Sequence, residues 1–157
     1  LIILGESLGT GVAARMVYEH PNVRALVLET PYTSVADVAQ KKFLIVPVRG
    51  LLKDTFDTAR LIKDIHVPVL VLHAKDDKIV PFIFGERLYN LANDPKKMIV
   101  YEDGGHLGLY ERGAAYRIME YVESLVTGEP VNKSEAGKQM HNTQQTNGKN
   151  GADNVSE

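Results

Sequence analysis

The sequence predicts an α/β fold built on a parallel sheet of about four strands that is flanked by helices. Four short apolar runs alternate with segments in which apolar residues recur at helical spacing. Turn-forming Pro, Gly and Asn residues separate the runs from these segments. Such alternation is typical of consecutive βαβ units, in which each strand returns parallel to the one before it.

The composition excludes several classes of protein. The 157 residues carry a formal net charge of −2, which gives no reason to expect a nucleic-acid partner. Cys is absent, and this excludes disulfides, thiolate metal sites and a cysteine nucleophile. We predict neither a metal site nor a cofactor, and no run of 18 apolar residues suggests a membrane span.

The strands and helices are predicted in chain order. The four predicted strands are Leu1–Leu4, Val23–Leu28, Val69–Leu72 and Met98–Tyr101. The first helix follows the first strand, and its spacing predicts one apolar face made of Leu8, Val12, Ala13, Met16 and Val17. Later helices are expected to begin near Thr33 or Ser34, at Asp57 and at Pro81. The last helix carries a clean apolar period from Ala115 to Val126 and stops at Gly128.

The two ends of the chain differ from the rest. Residues 1–127 form the predicted domain, and the Asn-, Gln- and Gly-rich residues 128–157 are predicted to be a disordered polar tail.

Because Leu1 already lies in a predicted strand, we expect a longer protein with strands upstream of this residue. Targeting signals and localisation therefore stay open, and a cytoplasmic or membrane-associated location is favoured. The first strand would leave an apolar edge, and we expect the isolated chain to associate through it. Its oligomeric state is unknown, and the upstream region could bring the protein close to a membrane.

A Gly-x-Ser-x-Gly motif separates the first strand from the first helix. In Gly5-Glu6-Ser7-Leu8-Gly9 the serine would lie on a sharp turn between strand and helix, the arrangement called a nucleophile elbow. We expect Gly5 and Gly9 to be required because a Cβ atom at either position would clash with the neighbouring strand and helix. A glycine-rich turn with a solvated serine is the alternative interpretation.

Two further polar residues follow strands in the order that such a serine requires. A serine hydroxyl becomes a nucleophile when a base takes its proton, and the base needs a carboxylate that orients it. Asp76 or Asp77 follows the third strand and His106 follows the fourth, so these side chains should meet Ser7 at one edge of the sheet. His73 ends the third strand and is predicted to be structural, hydrogen-bonding the loop that follows it.

Three segments resemble one known family. LILGESLGTGVA, VLHAKDDKIVPF and EDGGHLGLY are similar to the matching parts of α/β-hydrolase-fold serine hydrolases, most closely the Bem46-like, ABHD12-like and ABHD17-like branch. The resemblance implies that the chain is the C-terminal part of that fold and that Asp77 is the triad acid, with Asp76 as the alternative. Ala74 replaces the usual Gly of the family pattern, and Leu107-Gly108 replace the Asn-Asp that follows the base in many relatives.

The resemblance implies a serine hydrolase that cleaves carboxylic esters through an acyl-enzyme. Ser7, Asp77 and His106 would be catalytic, and the backbone N–H of Leu8 would donate to the oxyanion. A second oxyanion donor would come from an upstream loop, so we expect the isolated chain to be impaired as an enzyme. The substrate would be a small-molecule or lipid ester, as in an esterase, a lysophospholipase or a monoacylglycerol lipase.

Two other matters stay open at this point. The apolar segment between Glu29 and Phe56 would either cap a pocket or pack on the sheet. It supplies the predicted acyl-chain contacts Phe43, Leu44, Leu51 and Leu52. The alternative functions are a peptidase or thioesterase with the same triad, or a binding scaffold without activity.

Overall fold

The computed structural model of the chain describes residues 1–42 and 57–128. The predicted acyl-chain contacts Phe43, Leu44, Leu51 and Leu52 lie outside the described residues, as does all of the predicted tail except Gly128. The strands are β1 (Ile2–Glu6), β2 (Ala25–Glu29), β3 (Val69–Ala74) and β4 (Lys96–Tyr101). The α-helices are α1 (Gly9–Glu19), α2 (Val35–Lys42), α3 (Thr58–Leu61), α4 (Phe82–Leu91) and α5 (Ala114–Thr127), and short 3-10 helices span Ile62–Asp64 and Tyr110–Arg112.

The four strands form one parallel sheet in the order β1-β2-β3-β4, which confirms the predicted fold class. The strands run further than their apolar segments predict, because β1 continues to Glu6 and β3 to Ala74. Pairing with the neighbouring strands holds these extra residues in the sheet, as Glu6 lies opposite Glu29 and Ala74 opposite Tyr101. The carboxyl ends of all four strands therefore share one edge.

The hydrophobic core lies on both faces of this sheet. Every residue of the central strands β2 and β3 is buried. One face packs against α1, the 3-10 helix Ile62–Asp64 and α4, and the other packs against Leu109 and α5. β1 forms one edge of the sheet, where Leu4 is exposed. None of the described helices combines the length and the apolar character that crossing a bilayer requires.

Two helix starts follow the predicted cap residues. The hydroxyl oxygen of Ser34 accepts a hydrogen bond from the backbone N–H of Asp37 at 3.0 Å, so Ser34 caps α2. Asp57 caps α3, because its carboxylate accepts from the N–H of Arg60 at 3.0 Å. Unpaired backbone N–H groups at these helix ends thus find side-chain partners, as predicted.

The buried face of α1 is not the one that helical spacing predicts. Ala13 and Val17 are buried, but Leu8, Val12 and Met16 are 59%, 45% and 46% exposed, which makes that part of the prediction wrong. Small residues turn inward instead, namely Thr10, Gly11 and Ala14. The reason is the close approach of helix and strand, which leaves no room for large side chains between them.

Gly5 is the residue that permits this approach. A Cβ atom at Gly5 would lie 2.4 Å from the carbonyl oxygen of Gly9 and 2.7 Å from the Cβ of Ala13. The expectation of a clash is thus confirmed for Gly5. It is wrong for Gly9, where no heavy atom of the described residues lies within 4 Å of the position that a Cβ would take.

Candidate active site

Ser7 occupies a strained turn between β1 and α1. Its φ angle is 48°, in the left-handed region that residues other than glycine rarely adopt. Backbone hydrogen bonds hold the turn, since the N–H of Ser7 donates to the carbonyl of Glu29 at 2.9 Å and the N–H of Thr10 donates to the carbonyl of Ser7 at 3.0 Å. The Thr10 hydroxyl also donates to that carbonyl, at 2.6 Å. Ser7 therefore lies on a tight turn between strand and helix, where the sequence predicts it.

A continuous hydrogen-bonded chain joins the three predicted side chains. Ser7 Oγ lies 2.7 Å from His106 Nε2, and His106 Nδ1 lies 2.8 Å from Asp77 Oδ2. An ionised carboxylate only accepts, so Nδ1 carries the proton and Nε2 is left to accept from the Ser7 hydroxyl. The structure brings together a hydroxyl and an imidazole that lie 99 positions apart in the sequence.

Asp77 is a buried carboxylate with several donors. Its Oδ1 accepts from the backbone N–H groups of Ile79 at 2.8 Å and Val80 at 2.9 Å. Burial alone would raise the pKa of Asp77, but hydrogen bonds from His73, His106 and these two N–H groups outweigh it and lower the pKa from 3.8 to about 2. The group is therefore ionised at neutral pH and can hold an imidazolium.

The neighbouring Asp76 has a different position. Its Oδ1 accepts from the backbone N–H of Gly105 at 2.8 Å, one residue before His106. Gly104 and Gly105 have φ angles of 130° and 59°, so the loop takes a course that glycine tolerates best. Asp77 contacts the imidazole, and Asp76 supports the backbone of the loop that carries it.

His73 contacts Asp77 and is fully buried. Its Nε2 is 2.9 Å from the carbonyl oxygen of Val80, to which it donates, and 3.4 Å from Asp77 Oδ2. The predicted bond to the following loop is confirmed, but the second contact, with the carboxylate of Asp77, was not predicted. A Cβ atom at Gly85 would lie 2.1 Å from His73 Nδ1, so α4 packs directly on this ring. His73 lies in β3 and Asp77 in the loop after it, so no helical periodicity indicated the contact.

Leu8 stands at the N-terminal end of α1, directly after Ser7. Its carbonyl accepts a hydrogen bond from the hydroxyl of Tyr32 at 3.1 Å, and Tyr32 is 2% exposed. Sequence reasoning did not identify Tyr32 as a support of this turn. Among the described residues, no group of three or more His, Asp and Glu side chains is placed to hold a metal ion.

Comparison with solved structures identifies the fold. No protein-family model matches the chain. Acetyl xylan esterase 1 from Thermoanaerobacterium superposes with a TM-score of 0.63 at 24% identity, over 79% of this chain and 45% of the esterase. An α/β hydrolase enzyme from a lagoon-sediment metagenome superposes with a TM-score of 0.60 at 18% identity, over 82% of this chain and 63% of that enzyme. The chain has the α/β-hydrolase fold.

Sequence relatives narrow the resemblance within this fold. An uncharacterised protein of Mycobacterium tuberculosis is 40% identical over 102 residues, which are 65% of this chain and 36% of that protein. The lysophosphatidylserine lipase ABHD12 of Danio rerio is 35% identical over 117 residues, covering 62% of this chain and 30% of the lipase. The α/β-hydrolase chain described here spans about a third of the length of these curated relatives. The similarity supports the ABHD12-like branch that the motifs resemble.

Proposed function

We propose that the protein formed by this chain is a serine hydrolase that cleaves carboxylic esters through an acyl-enzyme. The observation that carries this proposal is the hydrogen-bonded chain from Ser7 through His106 to Asp77 at the carboxyl edge of the sheet. Relatives of this fold that are esterases and lipases support ester hydrolysis as the general reaction. The catalytic roles that follow are part of the proposal.

The chemistry begins with the Ser7 hydroxyl. His106 Nε2 accepts the proton as Ser7 Oγ attacks the ester carbonyl, and a tetrahedral oxyanion forms. The same proton passes to the departing alcohol, which leaves Ser7 acylated. Water then attacks the acyl group with His106 again as base, and Asp77 stabilises the imidazolium in both steps. Because the Asp77 pKa is about 2, the carboxylate stays charged throughout.

The negative charge of the oxyanion is stabilised by hydrogen-bond donors. The backbone N–H of Leu8, at the start of α1, is the proposed first donor, helped by the positive end of the helix dipole. The proposed second donor is an N–H from an upstream loop outside this chain. Loss of one such donor typically slows a hydrolase about 100- to 1,000-fold, so the chain alone should hydrolyse esters slowly.

The proposed substrate class is an ester with a long acyl chain. Exposed apolar side chains lie close in sequence to each member of the proposed triad, namely Leu8 directly after Ser7, Ile79 two residues after Asp77 and Leu107 directly after His106. ABHD12, which the chain resembles, is a lysophosphatidylserine lipase. Phe43, Leu44, Leu51 and Leu52 stay predicted contacts for the acyl chain. We propose a lysophospholipase- or monoacylglycerol-lipase-like specificity on these grounds.

Hydrolysis of p-nitrophenyl butyrate tests the reaction class. We expect a rate above background in wild type that falls by more than about a thousandfold in Ser7→Ala and in His106→Asn. Thr127→Ala, at the far end of α5, is the matched control and should hydrolyse at the wild-type rate. An unchanged rate in Ser7→Ala would favour the scaffold without activity. A preference for p-nitrophenyl acetate over long-chain esters would contradict the acyl-chain specificity alone.

A further inference from the structure

The peptide group between Ser7 and Leu8 carries the first proposed oxyanion donor. The N–H of Leu8 stands at the start of α1, where the first N–H groups have no acceptor within the helix. A trans peptide group is planar, and its C=O and N–H bonds point in opposite directions. The direction of the Leu8 N–H therefore depends on what holds the carbonyl of Ser7.

Thr10 holds this carbonyl with two donors. Its hydroxyl donates to the Ser7 carbonyl oxygen at 2.6 Å, and its backbone N–H donates to the same oxygen at 3.0 Å. Thr10 is fully buried, so water does not compete for the hydroxyl bond. A threonine in a helix often donates to the carbonyl three residues earlier, and such a bond usually serves only to satisfy the hydroxyl. Here the accepting carbonyl belongs to the peptide group that bears the proposed donor.

The conformation of Ser7 makes this peptide group dependent on its neighbours. A φ angle of 48° is strained for serine, and strained conformations persist where surrounding contacts enforce them. The bond from the Ser7 N–H to the carbonyl of Glu29 fixes the preceding peptide group. The hydroxyl of Tyr32, at 3.1 Å from the carbonyl of Leu8, fixes the following one. Thr10 holds the peptide group between these two.

We propose that Thr10 is a positioning residue that directs the Leu8 N–H toward the oxyanion through its hydroxyl bond to the carbonyl of Ser7. The bond exists before substrate arrives, so the donor is aligned before negative charge develops. Gly5 and the carbonyl of Glu29 determine where Ser7 lies, whereas Thr10 directs the peptide group that follows. The catalytic consequence rests on the proposed hydrolase function, but the orientation of the peptide group does not.

Residual dipolar couplings of 15N-labelled protein test the structural part, because the coupling of an N–H group reports its direction. Thr10→Val removes the hydroxyl and keeps the shape of the side chain, so we expect the Leu8 coupling to change. Thr10→Ser keeps a hydroxyl and should retain the wild-type coupling. Ser124→Ala is the matched control, since the Ser124 hydroxyl donates to the carbonyl of Tyr121, three residues earlier, also at 2.6 Å. It should leave the Leu8 coupling unchanged.

Thr10→Ala is a second variant, which removes the hydroxyl without placing a methyl group against the carbonyl of Ser7. We expect it to change the Leu8 coupling as Thr10→Val does, while the couplings in β2 and β3 keep their wild-type values. The inference is overturned if Leu8 keeps its wild-type coupling in Thr10→Ala, or if Thr10→Ser changes it as much as Thr10→Val does. A change that extends through β2 and β3 would also overturn it. None of these outcomes depends on enzymatic activity.

Steady-state hydrolysis of p-nitrophenyl butyrate tests the catalytic consequence. Acylation and deacylation both pass through an oxyanion, so we expect kcat of Thr10→Val to fall about tenfold with little change in KM. The loss should stay below the roughly 100- to 1,000-fold effect of removing a whole donor, because the Thr10 N–H still holds the carbonyl. Thr10→Ser should recover most of the rate, and Ser124→Ala should react at the wild-type rate.

An inhibitor separates loss of the donor from loss of the fold. A trifluoromethyl ketone forms a tetrahedral oxyanion adduct with a reactive serine, so Thr10→Val should bind it about tenfold more weakly. Unchanged affinity, or a loss in KM instead of kcat, would contradict the positioning role. If wild type neither hydrolyses the ester nor binds the ketone, the hydrolase proposal fails, while the dipolar couplings still decide whether Thr10 orients the Leu8 N–H.

Discussion

The Ser7 turn and the His106 loop are held in place by different means. Backbone packing determines the turn, because Gly5 lies against α1 and the Ser7 N–H is bonded to β2. Side-chain hydrogen bonds determine the loop, through Asp76 to the backbone of Gly105 and through Asp77 to the imidazole. The comparison teaches that changes of volume should disturb the position of Ser7, whereas changes of charge or hydrogen bonding should disturb the position of His106.

The largest expected effect is on the His106 loop. Asp77→Asn can donate to His106 and would favour the wrong imidazole tautomer, so we expect kcat/KM for ester hydrolysis to fall about 10,000-fold. Asp76→Asn keeps an oxygen that accepts from Gly105, and we expect a loss below about tenfold. Steady-state kinetics of both variants checks the difference. Equal losses in the two variants would mean that the loop, not the imidazole, is what the aspartate pair controls.

A change of volume at Gly5 tests the Ser7 turn. Gly5→Ala introduces a Cβ atom that would lie 2.4 Å from backbone and 2.7 Å from Ala13, so we expect a loss of about 2–4 kcal/mol in the free energy of unfolding. Gly9→Ala is the matched control, because its Cβ would meet no atom of the described residues within 4 Å. Urea titrations measure both, and a stable Gly5→Ala would show that α1 can move away from β1.

The two buried carboxyl groups should give opposite dependences of stability on pH. Glu29 is 2% exposed, and its burial together with the charge of Glu6 raises its pKa from 4.5 to about 7. Its contribution to stability is therefore fully present below pH 4.5 and is lost as the pH rises through about 7. The free energy of unfolding of wild type relative to Glu29→Gln should therefore fall over this range, by up to about 3 kcal/mol. The lowered pKa of Asp77 gives a contribution that is present above pH 3.8 and lost as the pH falls through about 2.

Thermal unfolding across pH 2–8 measures both differences. Wild type is compared with Glu29→Gln for the first and with Asp77→Asn for the second. A constant difference between wild type and Glu29→Gln from pH 4.5 to 7 would contradict the raised pKa of Glu29. The Asp77 comparison should still change at acid pH in that case, which separates the two groups.

The smallest expected effect concerns the support of the Ser7 turn by Tyr32. Tyr32→Phe removes the hydroxyl that donates to the Leu8 carbonyl, and we expect a loss of about 1 kcal/mol in stability with an approximately threefold fall in kcat/KM. Tyr18→Phe changes an exposed tyrosine of α1 and should alter neither quantity. A fall in kcat/KM beyond a hundredfold in Tyr32→Phe would mean that a side chain, and not backbone packing, holds this turn.

Local patterns in the sequence were sufficient to predict the fold, and the structure confirms that prediction. Apolar runs and turn residues predicted all four strands, and Ser34 and Asp57 predicted helix starts because caps act within three residues. The buried face of α1 was predicted wrongly. Helical spacing alone cannot show that Gly5 lets α1 lie close to β1, where only small side chains fit, while Val12 and Met16 are exposed.

The candidate site was predictable from the sequence only in part. Ser7, Asp77 and His106 were identified by their order after successive strands, and the structure places them in hydrogen-bonding contact. Their catalytic roles stay a prediction. The backbone carbonyl of Glu29 and the hydroxyl of Tyr32 were not identified as supports of the Ser7 turn, since both lie far from it in sequence and no short motif marks such a pairing. Nothing described here tests Phe43, Leu44, Leu51 or Leu52.

The most direct test is to map the adduct that a fluorophosphonate probe forms on the longer protein expected to contain this chain. Digestion and mass spectrometry should locate the adduct on Ser7, and its formation should slow by more than about a thousandfold in His106→Asn. An adduct on another residue, or one that forms on Ser7 at the same rate without the imidazole, would contradict activation of Ser7 by His106.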